Sequence, residues 1–367
     1  MRMRRSLASA AIAVAAVLSV PATLSAPMTA HAAEPEAQEV PLPFLWARSE
    51  LHDVAVTGPD DVWAAGVQGV FCLPYYEQCV IDLEGNPVVR RWTGTSWTGY
   101  PLNGWTGNGP IEHVTSAAGE TAAGETWIAG RGRTGDVWQG YVARFDGSSF
   151  QKVATPSGRV ERISTGAAGT WLAERAAVWT GRHSLYKRTG STWTGVELPA
   201  EIHTITDVQA RTATDVWLVG ARAAEAGTPG RLPAAAHFDG TSWTGVPPPE
   251  LPADVEDHGF VKVVPVGPDD VWAITTEFLT HWDGDDWTVV RIPEESWRSR
   301  DLVVDASGVP WVAMPASPSY LFRYVDGAWQ DVPTAAVGLH AIAAVPGTST
   351  IWGAGAKGND AAAVRTS

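Results

Sequence analysis

A short motif centred on tryptophan recurs seven times along the 367-residue chain. A short run with apolar positions, such as LHDVAV, precedes each copy. The copies are VTGPDDVWAAG at Trp63, GETWIAG at Trp127, AAGTWLA at Trp171, TATDVWLVG at Trp217, VGPDDVWAI at Trp272, ASGVPWVA at Trp311 and GTSTIWGAG at Trp352. Self-similarity at intervals of roughly 40–55 residues restricts the chain to a propeller or a solenoid.

A second motif, a glycine turn followed by an aromatic residue, alternates with the first. Its six copies are WTGTSWTGYPL, FDGSSFQKVATP, RTGSTWTGVELP, FDGTSWTGVPPP, WDGDDWTVVRIP and YVDGAWQDVP. Asp-Gly or Thr-Gly favours a tight hairpin, because glycine readily adopts positive φ. Each unit is therefore predicted to contain four short strands, the pattern of a β-propeller blade. The repeated tryptophan position of the first motif and the one after the glycine turn of the second account for 12 of the 19 tryptophans, and we expect these side chains to fill the wedges between blades rather than to bind sugar.

The two motif counts differ by one, which bears on how the ring closes. The chain ends at AAAVRTS, a third strand without a fourth, while residues 38–43 resemble the fourth-strand segments 151–156 and 330–333. The N-terminal segment is thus expected to supply the outer strand of the last blade, which removes free sheet edges. The sequence predicts an all-β, seven-bladed β-propeller with four antiparallel strands per blade, forming a single domain over residues 34–367.

These repeats resemble those of secreted bacterial propellers built on Trp-rich "DVWAVG…DGTSW" units, which are related in pattern to kelch and galactose-oxidase-like propellers. The resemblance covers nearly all of residues 38–367. It implies the fold but no particular activity, since propellers have many unrelated functions. The D-G-x-x-W turn differs by one residue of spacing from the sialidase Asp-box, so sialidase chemistry is not implied.

Residues 1–33 have the features of a secretory signal peptide. A basic start with Arg4-Arg5 precedes an apolar run over 7–20 and the cleavage pattern Ala30-His31-Ala32. The protein is expected to be secreted, by the Sec or the twin-arginine route, and to be a monomer without a membrane span. Removing this segment takes away three of the 26 basic residues and no acidic one, so 23 basic and 40 acidic residues remain, a formal net charge of −17. Such a charge repels phosphate backbones, and no nucleic-acid partner is expected.

The two cysteines of the chain, Cys72 and Cys79, are separated by six residues. In an exported protein this spacing favours one local disulfide that constrains a loop. A thiolate metal site would need further ligands nearby, and the neighbouring sequence offers none.

The long insertions 67–89, 131–140, 221–235 and 244–259 all fall on the same predicted face of the ring. Long loops on a rigid scaffold often form binding sites, although they also vary without function. The leading hypothesis is a secreted, non-enzymatic propeller that binds a carbohydrate or protein ligand on this face. Aromatic residues outside the repeated positions are the candidate contacts, with capping of a blade as the alternative role: Tyr75, Tyr76, Trp105, Trp138 and Trp297.

The first strand of each blade starts at the same face and borders the central channel. Its second position places six ionisable side chains at the channel rim, His52, Glu112, Glu161, His203, Arg300 and His340, with Val261 in the fifth blade. His52, His203 and His340 form a candidate site for a divalent metal, the one cofactor considered, and a glutamate could act as a general base. The alternative function is therefore a metal-dependent lyase or hydrolase at the channel mouth. A solvated rim without a ligand is the simpler explanation. If the alignment of the first strands is shifted by one residue, the rim residues become Asp53, His113, Arg162, Lys262 and Asp301 instead.

Overall fold

The computed structural model describes residues 35–75, 78–117, 125–178, 181–222, 232–252, 259–293, 301–314 and 320–367, in which every regular element is a β-strand. Seven sheets, each built on four antiparallel strands, form the blades as the repeats predicted, and one of these sheets has an additional fifth strand. No helix long and apolar enough to cross a membrane occurs in this part of the chain.

The strands follow one another along the chain blade by blade. β1 (Ala37–Val40) comes first; blade 1 contains β2 (Glu50–Gly58), β3 (Asp61–Gln68), β6 (Asn86–Trp92) and β7 (Trp97–Gly99), with β4 (Phe71–Tyr75) and β5 (Gln78–Leu83) inserted as a hairpin. Blade 2 contains β8 (Leu102–Asn103), β9 (Ile111–Ala117), β10 (Glu125–Thr134), β11 (Val137–Phe145) and β12 (Phe150–Lys152). Blade 3 contains β13 (Val160–Gly166), β14 (Gly169–Glu174), β15 (Ser184–Thr189) and β16 (Thr192–Val196), and blade 4 contains β17 (Thr204–Thr212), β18 (Asp215–Arg222), β19 (Leu232–Phe238) and β20 (Trp243–Val246).

Three further blades complete the ring. Blade 5 contains β21 (Lys262–Gly267), β22 (Asp270–Ile274), β23 (Phe278–Trp282) and β24 (Trp287–Arg291); blade 6 contains β25 (Asp301–Val304), β26 (Pro310–Met314), β27 (Tyr320–Val325) and β28 (Ala328–Asp331); blade 7 contains β29 (Gly338–Ala344), β30 (Ile351–Lys357) and β31 (Asp360–Thr366). The short strand β8 is an addition to the four-strand pattern and pairs parallel to β12.

The ring is closed by the N-terminal strand, as predicted. β1 pairs antiparallel with β31 and becomes the outer strand of blade 7, so Ala37 lies opposite Thr366 and is fully buried. The first strands of neighbouring blades contact one another all the way round, including β2 against β29. These seven inner strands form the wall of the central channel.

The repeated tryptophans fill the wedges between blades. We call the tryptophan of the first motif, on the second strand of each blade, the inner tryptophan, and the aromatic residue after the glycine turn the outer aromatic residue. The inner tryptophan of one blade packs against the outer aromatic residue of the next. Trp171 lies edge-on to Trp243 at 5.7 Å between ring centroids, and Trp352 of blade 7 lies edge-on to Trp97 of blade 1 at 5.9 Å. Six of the seven inner tryptophans are buried, Trp272 being half-buried. Stacking of large apolar rings across each blade interface explains why the chain uses so many tryptophans.

The residue paired with each inner tryptophan on the adjacent third strand is an arginine, a lysine or a histidine. These partners are Arg91, Arg144, Lys187, His237, His281, Arg323 and Arg365. In the D-V-W copies the aspartate two residues before the tryptophan pairs with that base, as Asp61 does with Arg91 at 2.7 Å and Asp215 with His237 at 2.9 Å. The acidic residue of the motif therefore has a structural role.

The glycine turns are hairpins capped by their own aspartates. The Oδ1 atom of Asp239 accepts hydrogen bonds from the backbone N–H groups of Thr241 and Ser242, at 2.8 and 2.9 Å. Gly240, which lies between Asp239 and Thr241, has a φ of 96°, a conformation that favours glycine. Asp146 and Asp283 cap their turns in the same way, which accounts for the Asp-Gly pair in the second motif.

Cys72 and Cys79 lie on the two paired strands of the hairpin inserted into blade 1. The register of this pairing places Cys72 opposite Asp82 and Pro74 opposite Cys79. The local disulfide between them stays a prediction. The predicted signal peptide, residues 1–33, lies outside the described residues.

Candidate functional site

A cavity of about 630 Å³ opens where the inner strands begin, at one mouth of the channel. This is also the face from which the β4–β5 hairpin projects, because the hairpin follows the end of β3. The charged and histidine residues that line the mouth cavity are Glu50, His52, Asp53, Glu112, His113, Arg131, Glu161, Arg162, Arg175, Lys262, Asp301 and His340. The mouth is therefore highly charged but contains both signs in similar number.

The rim side chains of this mouth occupy β-bulges. His52, Glu112, Glu161 and His340 each fall where the register of the inner strand shifts by one residue against the second strand. A bulge leaves one residue unpaired and changes the direction of its side chain. All four of these predicted rim residues line the mouth cavity.

In blade 4, the rim position is occupied by a different residue from the one predicted. Its register shifts between Ile205 and Asp207, so Thr206 occupies the bulge and lines the mouth. His203 lies before β17, where its backbone pairs with Ala221 and His183, and it does not line this cavity. The assignment of His203 to the rim position is therefore corrected to Thr206. Arg300, the predicted rim residue of blade 6, lies outside the described residues.

Two imidazoles and one carboxylate lie close together at the junction of blades 7 and 1. The Nε2 atom of His52 lies 2.9 Å from Oε1 of Glu50, and Nδ1 of His340 lies 4.0 Å from Oε2 of the same carboxylate. The ring centroids of His52 and His340 are 6.1 Å apart. Two imidazoles therefore have the same carboxylate as a neighbour at this junction.

The three histidines proposed as metal ligands are not brought together. His52 and His340 approach each other, whereas His203 is absent from the lining of their cavity. Within the described ranges, no group of three or more His, Cys, Asp or Glu side chains could hold a metal ion.

The two rim glutamates of blades 2 and 3 each form an ion pair with an arginine of their own blade. Glu112 lies 3.0 Å from Nε of Arg131, and Glu161 lies 2.8 Å from Nε of Arg175. Arg131 lies in the second half of β10 and Arg175 directly follows β14, and both are next to the bulge that carries the glutamate. About half of each arginine side chain remains exposed, so these pairs stay accessible to a ligand.

Below the rim, the next residue in six of the seven inner strands belongs to a charge pair that links neighbouring blades, whereas blade 7 has Ala341 there. The pairs are Asp53 with His113 at 3.6 Å, Arg162 with Asp207 at 3.0 Å and Lys262 with Asp301 at 3.1 Å. Each aspartate also accepts a backbone N–H from the following blade, namely from Val114, Val263 and Ile342. The alternative alignment, shifted by one residue along the inner strands, therefore contains the other five members of these pairs. Asp207 is the member that the sequence analysis missed.

Burial and charge act against each other on the pKa values of these paired residues. For Asp53, burial raises the pKa, but the hydrogen bond to His113 and the charge of Arg162 lower it below its usual range. For Asp301, burial raises the pKa above its usual value, and Lys262 only partly opposes this effect. Burial lowers the pKa of Arg162, and the charges of Asp207 and Asp53 outweigh it, so the pKa is raised. Asp53 and Arg162 therefore remain charged at neutral pH.

A second cavity, of about 250 Å³, lies between blades 2 and 3 and adjoins the mouth. Its lining residues are Glu112, Gly130, Arg131, Trp138, Gly140, Gly158, Arg159, Val160, Arg175 and Ala176. Trp138 is 39% exposed and stacks against Arg131, whose guanidinium carbon lies 4.8 Å from the ring centroid. Among the predicted aromatic contacts whose side chains the structure describes, Trp138 is thus the one that forms the wall of a cavity here.

The other predicted aromatic residues have different surroundings. Trp105 is half-buried, packs edge-on against Tyr141 at 5.1 Å and donates its indole N–H to the carbonyl of Gly107. This contact corresponds to the blade-capping alternative. Tyr75 ends β4, while Tyr76 and Trp297 lie outside the described residues.

The fold and the charged mouth define the class as a seven-bladed β-propeller. Among solved structures, a catalytically inactive virginiamycin B lyase from Staphylococcus aureus with quinupristin is similar, with a TM-score of 0.63 and 14% identity over 91% of this chain and 100% of that one. The WD40 propeller domain of Doa1 has a TM-score of 0.58 and 12% identity, covering 90% and 97% of the two chains. The extracellular domain of a one-component system from B. thetaiotaomicron has a TM-score of 0.58 and 11% identity, covering 90% and 40%.

At these identities the likeness concerns the fold. No protein-family model matches the chain, and no curated protein sequence matches it. The relation to kelch-like repeats accordingly stays a resemblance of sequence pattern.

Proposed function

We propose that this protein is an exported binding propeller, which holds a carbohydrate or protein ligand on the face that carries the channel mouth. The observation that carries the proposal is the placement of Trp138. Its indole is partly exposed, and it forms the wall of a cavity that shares four residues with the mouth cavity. A large aromatic side chain on a rigid scaffold provides contact area at low entropic cost.

Two structures with the same fold support a binding role. One is the extracellular domain of the one-component system from B. thetaiotaomicron, and the other is YCF48 with a bound peptide, which has a TM-score of 0.54 and 14% identity. Export rests on the features of residues 1–33. A propeller ring suits such a role because its loops can change without disturbing the sheets.

A glycan array probed with the mature protein tests this proposal. Binding should weaken when Tyr75, Tyr76, Trp105, Trp138 and Trp297 are all changed to alanine, and Trp138→Ala alone should account for most of the loss. Phe44→Ala is the matched control, since Phe44 is 85% exposed but lines neither cavity. Unchanged binding by the five-residue variant would refute an aromatic platform.

A second candidate function is a lyase or hydrolase that acts at the mouth. The contact of Glu50 with His52, beside His340, favours it, because such a group can move a proton at a bound substrate. The S. aureus structure with this fold is named as a lyase. Metal analysis of protein purified without a His tag, beside the variant with His52 and His340 changed to alanine, tests the metal dependence. Stoichiometric metal that the variant loses would support it, and no bound metal after supplementation would refute it.

A further inference from the structure

We infer that the cavity between blades 2 and 3 binds an acidic sugar unit, with arginines holding its carboxylate and Trp138 lying against its ring. This inference rests on the proposed binding function and names the ligand class for one part of the same face. We call this cavity, lined by the residues given above for the 250 Å³ space, the interblade cleft.

The repeats provide an internal control for the arginines of the interblade cleft. The fourth residue after the inner tryptophan is Arg131 in blade 2 and Arg175 in blade 3. In the other blades that the structure describes at this position, the residue is uncharged: Val67, Ala221, Thr276 and Ala356. The propeller fold therefore does not need a charge there. Two adjacent blades carry one, and both arginines line the same cavity.

Blade 3 also departs from the repeat at the residue before Arg175, and this residue holds the loop at Ser157–Gly158 that completes the interblade cleft. The residue before these positions is glycine in four blades. A Cβ there would clash with a backbone oxygen at the start of the inner strand or just before it, for example with Thr204 at 1.9 Å from Gly220 and with Pro110 at 2.3 Å from Gly130. Blade 3 has Glu174 instead, which is 1% exposed. Its carboxylate accepts hydrogen bonds from the backbone N–H groups of Ser157 and Gly158 at 2.9–3.2 Å. A buried carboxylate thus fixes the loop that brings Arg159 to the cleft.

The charge balance of the cleft favours an anion. Arg131 and Arg175 each have a glutamate partner, whereas Arg159 is exposed and makes no ion pair within the part of the chain that the structure describes. One positive charge is therefore left uncompensated on a chain whose formal net charge is −14. The planar guanidinium fork matches the geometry of a carboxylate, with which it forms two parallel hydrogen bonds.

Trp138 and the size of the cleft favour a sugar over a small inorganic anion. The indole gives an apolar wall beside the guanidinium of Arg131, so a ring and its acidic substituent would meet adjacent groups. The volume of about 250 Å³ lies below the roughly 300–1,000 Å³ of drug-sized sites, which suits one unit of a chain. Glu112, Arg131, Val160 and Arg175 also line the mouth cavity, so further units would extend towards the channel.

Isothermal titration calorimetry of the mature protein tests the ligand class. The probes are a galacturonic acid trimer, the corresponding neutral galactose trimer and inorganic sulfate, each at low and high salt. We expect the acidic trimer to bind at least about tenfold more tightly than the neutral one, since charge-assisted hydrogen bonds are stronger than those between neutral groups. High salt should weaken this preference.

The variants Arg159→Gln and Trp138→Ala test the residues. Each should weaken binding of the acidic trimer by about tenfold or more, and Arg159→Gln should remove most of the preference over the neutral trimer. Arg159 is exposed and unpaired within the described residues, so its variant is expected to fold normally. Arg365→Gln is the matched control, because Arg365 is an exposed arginine of blade 7 that lines neither cavity.

The outcomes separate this inference from the proposed function. Equal binding of both trimers, or full binding by Arg159→Gln, would refute the acidic-sugar inference while a binding propeller would stand. Sulfate that displaces the acidic trimer at equal concentration would show a general anion site and also refute it. If the protein binds none of the probes, the ligand class is wrong, and the glycan array with the five aromatic variants decides on the proposed function separately.

Discussion

Replacement of Asp207 by asparagine tests how strongly the buried charge pairs join the blades. Asp207 is fully buried, and its carboxylate lies 3.0 Å from Nε of Arg162 in the preceding blade. The same carboxylate accepts hydrogen bonds from the side chain of Gln209 and the backbone of Val263, which belongs to the following blade. One side chain therefore connects three consecutive blades.

The expected cost of Asp207→Asn follows from the burial of its partner. The side chain of Arg162 is only 16% exposed, so its charge would lose its nearest counter-ion in a poorly solvated position. Removing one member of a buried ion pair costs about 3–5 kcal/mol. Asp53 and Asp301 still act on Arg162, so we expect a loss of unfolding free energy near the lower limit, about 3 kcal/mol.

Asp61→Asn is the matched control for this experiment. It removes the same charge from a pair with Arg91 at 2.7 Å, but the two side chains are 33% and 30% exposed. Water screens such a pair, and the expected loss is about 1 kcal/mol or less. Guanidinium denaturation at neutral pH, followed by tryptophan fluorescence, gives both values. Equal losses for the two variants would refute the argument that burial makes the channel charge pairs important.

Three further predictions concern the closure, the turns and the cysteines. Deletion of residues 34–43 should expose the edge of β31 and cause aggregation or loss of cooperative unfolding; a truncated protein that melts like the mature chain would contradict the closure. The backbone N–H groups of Ser242 and Thr241 lower the pKa of Asp239 from its usual 3.8, so the stabilisation by this cap should be complete above about pH 4 and disappear as the pH falls through the lowered pKa. Acid titration of the unfolding midpoint should therefore show a smaller change for Asp239→Asn, and an unchanged profile would contradict this cap. Thiol titration of the denatured, unreduced protein should detect no free thiol, whereas two thiols would rule out the Cys72–Cys79 disulfide.

The sequence by itself was enough to predict the number of blades, the four-strand pattern and the closure by the N-terminal strand. These features depend on local signals that are repeated along the chain, so an ambiguous copy is interpreted with the help of the others. Trp127 and Trp171 have little of the D-V-W motif around them, yet the repeat identifies both as inner tryptophans. The wedge packing follows from the same repetition, because every blade must bury the same kind of surface against the next one.

The channel rim shows where a single sequence stops being sufficient. The run IHTITD in blade 4 has isoleucine at two positions three residues apart, Ile202 and Ile205, and either can be aligned with the apolar residue that precedes the rim position in other blades. Only the pairing of β17 with β18 places Thr206 in the bulge and removes His203 from the rim. The partner of Arg162 was missed for the same reason, since Asp207 belongs to the blade whose alignment was wrong.

The interblade cleft depends on tertiary structure alone. Arg131, Trp138, Arg159 and Arg175 come from two blades, and no local pattern joins them in the sequence. They meet because the second strands of adjacent blades end at the same face of the ring, and because Glu174 holds the loop at Ser157–Gly158 beside them. A repeat determines what all blades share, whereas a site forms where neighbouring blades depart from the repeat, and only packing of the blades shows which departures lie side by side.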